Sequence, residues 1–262
     1  MTEAFPTGTS DTQVRSVAKA LRILNLLAEH RREMFLGEIA KEMQLAKSTA
    51  YGLLATLRDF GYIEQSPLDG KYRLGIRLFE VGSVVANGWD VRHVAAPFIQ
   101  ALVDKLGETV HLVVLDKGEV LYIDKRESTK SLRIVSQVGT RLPAHCTGVG
   151  KVLLANLSIR EVKRIITTKG LARYTKNTIT EFNRLEEELK RVREQGYSID
   201  DEEIMESLRC VAVPLWDHTG KVCAAISVSG PKSRFEGEEM ESIVDLMVRI
   251  GQEISTSLGH RS

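Results

Sequence analysis

After a polar stretch that ends at residue 13, the chain reads VRSVAKALRILNLLAEH over residues 14–30. Val17, Leu21, Leu24 and Leu27/Ala28 fall three or four apart there, one apolar stripe of an amphipathic helix. LGEIAKEM repeats the spacing with Leu36, Ile39, Ala40 and Met43, so a second, shorter helix is expected. After the turn residues 44–47, STAYGLLATLRDFG starts with Ser48 as a candidate N-cap. It sets Ala50, Leu53, Leu54, Leu57 and Phe60 toward a core and stops at Gly61, suited to a left-handed C-cap. The period then changes, and YIEQSPLDGKYRLG reads as two strands about a Pro-Leu-Asp-Gly turn, a hairpin carrying Lys71 and Arg73.

Helix, short helix, turn, helix and hairpin is the order of a winged helix-turn-helix domain, expected over residues 14–75. In that arrangement the third helix buries its leucines and turns Lys47, Ser48, Thr49 and Tyr51 outward near its start. One cation, one aromatic and two short hydroxyl groups suit base edges and phosphates in a major groove. The competing use of such a domain is protein contact through an ordinary polar helix face.

IRLFEVGSVVANGWDVRHVAAPFIQALVDKLG, residues 76–107, keeps helical spacing on either side of Asn87-Gly88. A linker helix is expected within 76–89, ending near Ala86, and a second helix from Asp90 to Leu106. TVHLVVLD and VLYIDKR then read as a hairpin about Lys117-Gly118, LRIVSQV as a further strand, and GVGKVLLANL as a helix. Ser158 with Glu161, and Thr178 with Glu181, have the spacing of capping boxes at two more helix starts, the second helix ending at Gly196. CVAVPLW and KVCAAISVSG follow as strands joined at Asp217–Gly220, and a last helix begins near Gly237. Residues 90–258 are therefore expected to form an α+β domain with an antiparallel sheet.

Composition bounds the function classes. The 262 residues are 43% hydrophobic and 27% charged, as in globular proteins, and hold no apolar run of membrane-spanning length. The N-terminus has neither the basic start nor the apolar run of a signal peptide, so a cytoplasmic protein without membrane contact is expected. Cys146, Cys210 and Cys223 stand 64 and 13 residues apart, an odd set that suits reduced thiols better than a disulfide framework or a zinc site. No metal or cofactor is expected. The net charge is +1, yet residues 14–75 hold ten Lys/Arg and seven Asp/Glu, so the basic surplus of three lies at the N-terminal end, the one expected to meet nucleic acid.

PAHCTGVGK, residues 143–151, gathers a histidine, a cysteine, two glycines and a lysine. It is no P-loop, because His145 stands where the first glycine belongs and Val152 follows Lys151. Cys146 with His145 as its base is the enzyme reading, on a small metabolite, with the N-terminal domain as a protein-contact module. Against it, adjacent side chains of an extended segment point to opposite sides. The segment also offers a helix start: with Thr147 as cap, the N–H groups of Gly148, Val149 and Gly150 lack intrahelical partners and carry the positive end of the helix dipole. A small anion fits there, and glycine at 148 removes a side chain from its approach. In VCAAISVSG a period of two sends Val222, Ala224, Ile226 and Val228 one way and Cys223, Ala225, Ser227 and Ser229 the other, leaving one strand face small and polar.

The runs VRSVAKALRILNLLAEH, LGEIAKEMQLAKSTAYGLLATLRDFGYIE and KYRLG, followed by PAHCTGVGKVLLA, GYSIDDEEIMESLRCVAVPL and AAISVSGPKSR, resemble the IclR family of bacterial transcriptional regulators from Val14 to near the end of the chain. Many members carry a basic residue where this chain has Gly52, which bears on one DNA contact. The resemblance implies a GAF-like effector-binding domain and a regulator rather than an enzyme. It implies contacts to a small organic acid from the backbone of Gly148 and Val149 and from Asp200, Cys210, Ser227 and Ser229. Asp200, with Cys210, is expected to meet a polar group at the ligand's other end or to be held protonated. A double-stranded, palindromic operator follows from a symmetric assembly. The resemblance implies a homodimer or homotetramer, with the helices at 14–30 and 76–86 as candidate contacts.

Overall fold

In a computed structural model, residues 14–87, 90–127 and 137–261 are described, and the chain divides into two units at residues 88 and 89. The first unit runs α1 (Arg15–His30), α2 (Leu36–Glu42), α3 (Lys47–Asp59), β1 (Ile63–Gln65), β2 (Tyr72–Leu74) and α4 (Arg77–Asn87). The two strands pair antiparallel with Glu64 opposite Arg73, the wing of a helix-turn-helix domain. Ile23, Leu27, Met34, Ile39, Leu54, Leu57, Ile63 and Tyr72 make its core.

Three expectations for this unit are corrected. Ser48 is the second residue of α3 and does not cap it; the N-cap is Ala46, with no side-chain bond. The turn before it is already closed by the backbone, with Gln44 at φ 54 and Leu45 N–H donating to the Ala40 carbonyl at 2.9 Å, so the chain is helical by Lys47. Phe60 is 69% exposed, because it follows the last helical residue and leaves the core face. On α1 the buried positions are Ile23 and Leu27, while Val17 and Leu21 are more than half exposed. The helix is apolar on two faces and only one covers this unit's core. Phe79 and Val84 of α4 are exposed as well.

The second unit runs α5 (Asp90–Leu106), β3 (Thr109–Asp116), β4 (Glu119–Arg126), β5 (Arg141–Pro143), a 3-10 turn (Ala144–Cys146), α6 (Gly148–Ala155), α7 (Ile159–Lys169), α8 (Phe182–Gln195), β6 (Ser198–Asp201), β7 (Leu208–Trp216), β8 (Val222–Pro231), a second 3-10 turn (Lys232–Arg234) and α9 (Gly237–Ser257). The six strands form one sheet in the order β5-β4-β3-β8-β7-β6, antiparallel at every pair. Ala95, Ile99 and Leu102 of α5 and Ile243, Met247 and Ile254 of α9 cover one face, packing on Leu112, Val213, Ile226 and Val228. Val152 and Leu153 of α6, Val162 of α7 and Leu185 and Leu189 of α8 cover the other, over Val113, Ala212 and Ala225. No described helix is long and apolar enough to cross a membrane.

The strand expected over LRIVSQV falls largely on residues 132–136, which lie outside the described residues. β6 was not expected. The capping box at Ser158 and Glu161 forms, but that at Thr178 does not, and Glu181 is the N-cap of α8. Thr178 Oγ1 instead accepts from the N–H groups of Tyr174 and Thr175 and donates to the Glu203 carbonyl at 2.6 Å, tying two loops together. The alternation along β8 holds from Ala224 onward. A register shift at Leu215/Trp216 reverses it at the strand's start, so Val222 packs toward α6–α8 and Cys223 toward α5 and α9.

Two glycines make opposite demands. A Cβ on Gly150 would lie 2.2 Å from the Ala144 carbonyl oxygen and 2.4 Å from Ala144 Cα, whereas one on Gly52 meets nothing within 4 Å. Only glycine lets the first turn of α6 close on the chain before it. Gly150→Ala is expected to lower unfolding stability by about 1–3 kcal/mol, and Gly52→Ala to raise it by about 0.5–1 kcal/mol, in urea denaturation. Equal behaviour of the two variants would contradict this packing.

Candidate functional site

On the first unit, α3 sends Ala50, Leu54 and Leu57 into the core and leaves Lys47, Ser48, Thr49, Tyr51 and Gly52 on one exposed surface. The two wing cations are already engaged. Lys71 Nζ lies 2.6 Å from Asp69 Oδ2 and 5.0 Å from the centroid of the Phe35 ring. Arg73 lies 2.8 Å from Glu64 and 3.3 Å from Glu33. The Lys71 hydrogen bond holds the Asp69 carboxyl down to about 2. A phosphate reaching the wing therefore exchanges with carboxylates, while Lys47 has no ion pair among the described residues.

On the second unit, β-register gathers residues distant in sequence. Asp200 of β6 stands opposite Cys210 of β7, Cys210 opposite Ser229 of β8, and Ser229 opposite Thr109 of β3. A neighbouring row runs Ala212, Ser227, His111. Both rows face α6, and the small residues among them leave a cavity of about 110 Å3 beneath the helix start. All six residues that the resemblance implies, Gly148, Val149, Asp200, Cys210, Ser227 and Ser229, line it. It is far smaller than the roughly 300 Å3 at which drug-sized pockets begin.

Thr147 caps α6 as expected, its Oγ1 accepting from Gly150 N–H at 3.3 Å. Among the described residues the N–H groups of Gly148 and Val149 meet no acceptor, so two oriented donors at the positive end of the helix open on the cavity. A Cβ on Gly148 would meet Ala212 Cβ at 3.4 Å and the Asp200 backbone nitrogen at 3.6 Å, ordinary contacts that show how closely the helix start lies over β6 and β7. Asp200 accordingly packs beside Gly148, at the helix-start end of the cavity and not opposite it.

Asp200 is 1% exposed and its Oδ1 accepts the Glu203 N–H at 2.8 Å. Burial, then the like charge of Glu203, pushes its carboxyl up to about 7. Burial also pushes the Cys210 thiol well above its ordinary value, Asp200 adding to the effect and the hydrogen bond from Ser229 working against it. Lys151, the last residue of PAHCTGVGK, is buried. It donates to Glu188 Oε1 at 3.0 Å, to the Ile199 carbonyl at 2.7 Å and to Glu203 Oε1. Burial disfavours its charge, but Glu203 and Glu188 outweigh that and hold its pKa above the ordinary lysine value.

Ile204 and Met205 close the cavity from the segment between β6 and β7. Thr175 Oγ1 donates to the Glu202 carbonyl at 2.6 Å and Lys232 pairs with Glu202, which pins this segment. Glu202 and Ser207 adopt φ of 60 and 63, sparsely populated for such residues. No periodicity announces a lid of this kind. His111 and Tyr122 also line the cavity and were missed, although a single histidine inside the apolar run TVHLVVLD was a usable signal.

Cys146 and His145 do not combine as nucleophile and base. They sit in a 3-10 turn, not the extended segment expected, and no hydrogen bond joins them among the described residues. His145 Nε2–H donates to the Ala172 carbonyl at 3.0 Å. Cys146 is fully buried, and burial, then Asp200 and Glu203, push its thiol far up, away from the thiolate that attack needs.

A winged helix-turn-helix unit followed by a sheet unit with a partly open cavity, lined by both apolar and polar groups, defines a DNA-binding protein with a second, cavity-bearing domain. The profile of the IclR helix-turn-helix domain matches residues 16–67, and that described as bacterial transcriptional regulator IclR C-terminal matches residues 83–256. The chain is 39% identical over 247 residues to the HTH-type transcriptional regulator XynR of Escherichia coli, covering 94% of this chain and 98% of that protein. The crystal structure of the Thermotoga maritima IclR superposes with a TM-score of 0.79 at 33% identity, covering 94% of this chain and 99% of that one. An IclR homolog from Microbacterium hydrocarbonoxydans, crystallised in complex with 4-hydroxybenzoate, superposes with a TM-score of 0.83 at 26% identity over 93% of this chain and 98% of that one. The chain belongs to the IclR family, as a transcriptional regulator with a helix-turn-helix DNA-binding domain.

The Asp200 carboxyl makes stability depend on pH. Folded, it keeps its proton up to about 7; unfolded, it releases it near the ordinary value of 3.8. Between these values the folded state holds more protons, so stability falls as pH rises and levels beyond the window. Asp200→Asn keeps the acceptor for Glu203 N–H without the titration. Its Tm is expected to gain on the wild type between about pH 4 and about pH 7 and hold that gain above; parallel curves would contradict the assignment.

Proposed function

We propose that the second unit senses a small organic acid, a keto, hydroxy or aromatic acid, and that occupancy of its cavity alters operator binding by the first unit. The observation that carries this reading is the pair of N–H groups at Gly148 and Val149, which meet no acceptor among the described residues and belong to a helix start that lines a cavity. They hold the ligand carboxylate, Ser227 and Ser229 add hydroxyl donors, and Asp200, protonated beside the helix start, adds an O–H in place of a repelling charge. Cys210 lines the wall as a neutral thiol. The 4-hydroxybenzoate bound by a relative supports an acid of this kind. The protein acts by binding, without turnover.

On DNA, Ser48, Thr49 and Tyr51 read base edges while Lys47, Lys71 and Arg73 contact phosphates or the adjacent minor groove. The exposed apolar faces of α1 and α4 supply the contact of a homodimer, or of the dimers within a homotetramer, on a palindromic operator. Residues 14–75 form the DNA-binding domain, 76–89 the linker and 90–258 the GAF-like effector domain.

A panel of small organic acids, read by thermal shift and by operator binding, tests this. A specific acid raises the Tm and changes operator affinity, and Ser227→Ala weakens that acid about ten- to a hundredfold. Cys146→Ser and His145→Gln leave sensing intact. An acid whose binding survives Ser227→Ala but is abolished by Cys146→Ser would overturn the reading.

A further inference from the structure

Three carboxylates crowd the helix-start end of the cavity. Asp200 Cβ lies 3.7 Å from where a Cβ on Gly148 would stand, buried Glu203 follows in the segment after β6, and Glu188 reaches in from α8. Lys151 of α6 contacts Glu203 and Glu188, and exposed Arg191 pairs with Glu188 from the solvent side. With Asp200 ionised, the cluster holds three negative charges against two positive. Asp200 has no ion pair among the described residues, and Glu203 Oε2 is buried with no hydrogen-bond partner among them.

The other charged or titratable groups around this end are neutral or paired. Burial keeps Cys146 of the 3-10 turn, Cys210 of β7, Tyr122 of β4 and His111 of β3 uncharged. Asp201 is held by Arg209 and Lys232, and Glu202 by Lys232. Lys125, opposite His111 on β4, pairs with Glu127.

An acid anion on the Gly148 and Val149 N–H groups brings a fourth carboxylate to this end. The helix dipole favours it, but an ionised Asp200 beside it opposes it, and of two carboxylates sharing a site one is driven to take a proton. Burial raises Glu203 too, yet Lys151 in contact with it works the other way. Asp200 has no cation in contact, and burial followed by the charge of Glu203 lifts it to about 7, so it is the member of the cluster readiest to accept the proton.

We propose that the cavity takes up one proton with each acid anion it binds, and that the proton goes to Asp200. This rests on the organic-acid reading above and adds to it the regulation of that site by pH. The proton comes from the solvent, bonds to a carboxylate oxygen of Asp200 and departs with the ligand. Anion plus proton has the composition of the undissociated acid, so occupancy follows the product of the two concentrations wherever the empty site holds an ionised Asp200. A rising acid and a falling pH then act in the same direction.

Calorimetric titration of the full-length protein with pyruvate, benzoate and 4-hydroxybenzoate, in cationic buffers of different ionisation heat, counts the protons. For an acid that binds, uptake is expected to be near zero at about pH 5.5 and most of a proton at about pH 8, with Kd weakening up to about tenfold per pH unit above about pH 7. Asp200→Asn, neutral throughout, takes up no proton and keeps one Kd across the range. Each comparison is made across pH within one variant, so a general loss of stability cancels; should Asp200→Asn not fold, the wild-type proton count decides alone. An acid that binds the wild type without proton uptake at about pH 8, or uptake undiminished in Asp200→Asn, would overturn the inference while leaving the organic-acid reading standing. Failure of all three acids to bind at any pH would overturn that reading, and this inference with it.

Discussion

The ammonium group of Lys151 lies under α6, almost wholly out of water, and reaches Glu188 on α8, Glu203 in the segment after β6, and the Ile199 carbonyl of β6 itself. Four parts of the second unit meet at this one cation. Removing a partner from such a group leaves buried charge uncompensated, at a typical cost of about 3–5 kcal/mol. Because Lys151 belongs to the first turn of α6, its anchorage fixes the N-terminus of that helix over the sheet. Because Glu203 also donates its N–H to Asp200, the same network fixes the carboxyl beside the helix start.

What the anchored helix leaves open follows from size and register. Gly148 rests on Ala212 and Asp200, and Gly150 closes on Ala144, so no side chain fills the space before the first N–H groups. Ala212 and Ala225 keep the sheet low beneath α6, and the rows from Asp200 to Thr109 and from Ala212 to His111 bring hydroxyl, thiol and imidazole groups to that floor. A helix N-terminus that lines a cavity places the positive end of its dipole there, which favours an anion. The same burial raises the Asp200 carboxyl to about 7 and keeps His111 neutral and Cys146 a thiol.

The fold was legible wherever local spacing and cap chemistry act alone. The first three helices, the wing, the Thr147 cap and the Ser158–Glu161 box all form. The misses have tertiary causes. Thr178 serves a loop-to-loop tie, and α1 carries a second apolar face, so its spacing did not say which face would be buried. At the site, the alternation of β8 gave Ser227 and Ser229, and the resemblance gave Asp200 and Cys210. The short β6 that holds Asp200 in register with Cys210 was not expected. His111 and Tyr122 enter only through pairing of β3 with β8 and β4, and Ile204 and Met205 through a loop without periodicity. Cross-strand register is a long-range property, and the pattern of a single strand does not contain it.

The central claim is that the start of α6 captures the carboxylate of an acid. Amide NMR of labelled protein during titration with an acid that raises the Tm tests it most directly. The account predicts that the Gly148 and Val149 amide protons move downfield and gain protection from exchange, as two unpartnered donors acquire a charged acceptor. Gly150, already bonded to Thr147, should change less. A bound acid that leaves Gly148 and Val149 unmoved while resonances elsewhere shift would contradict the account.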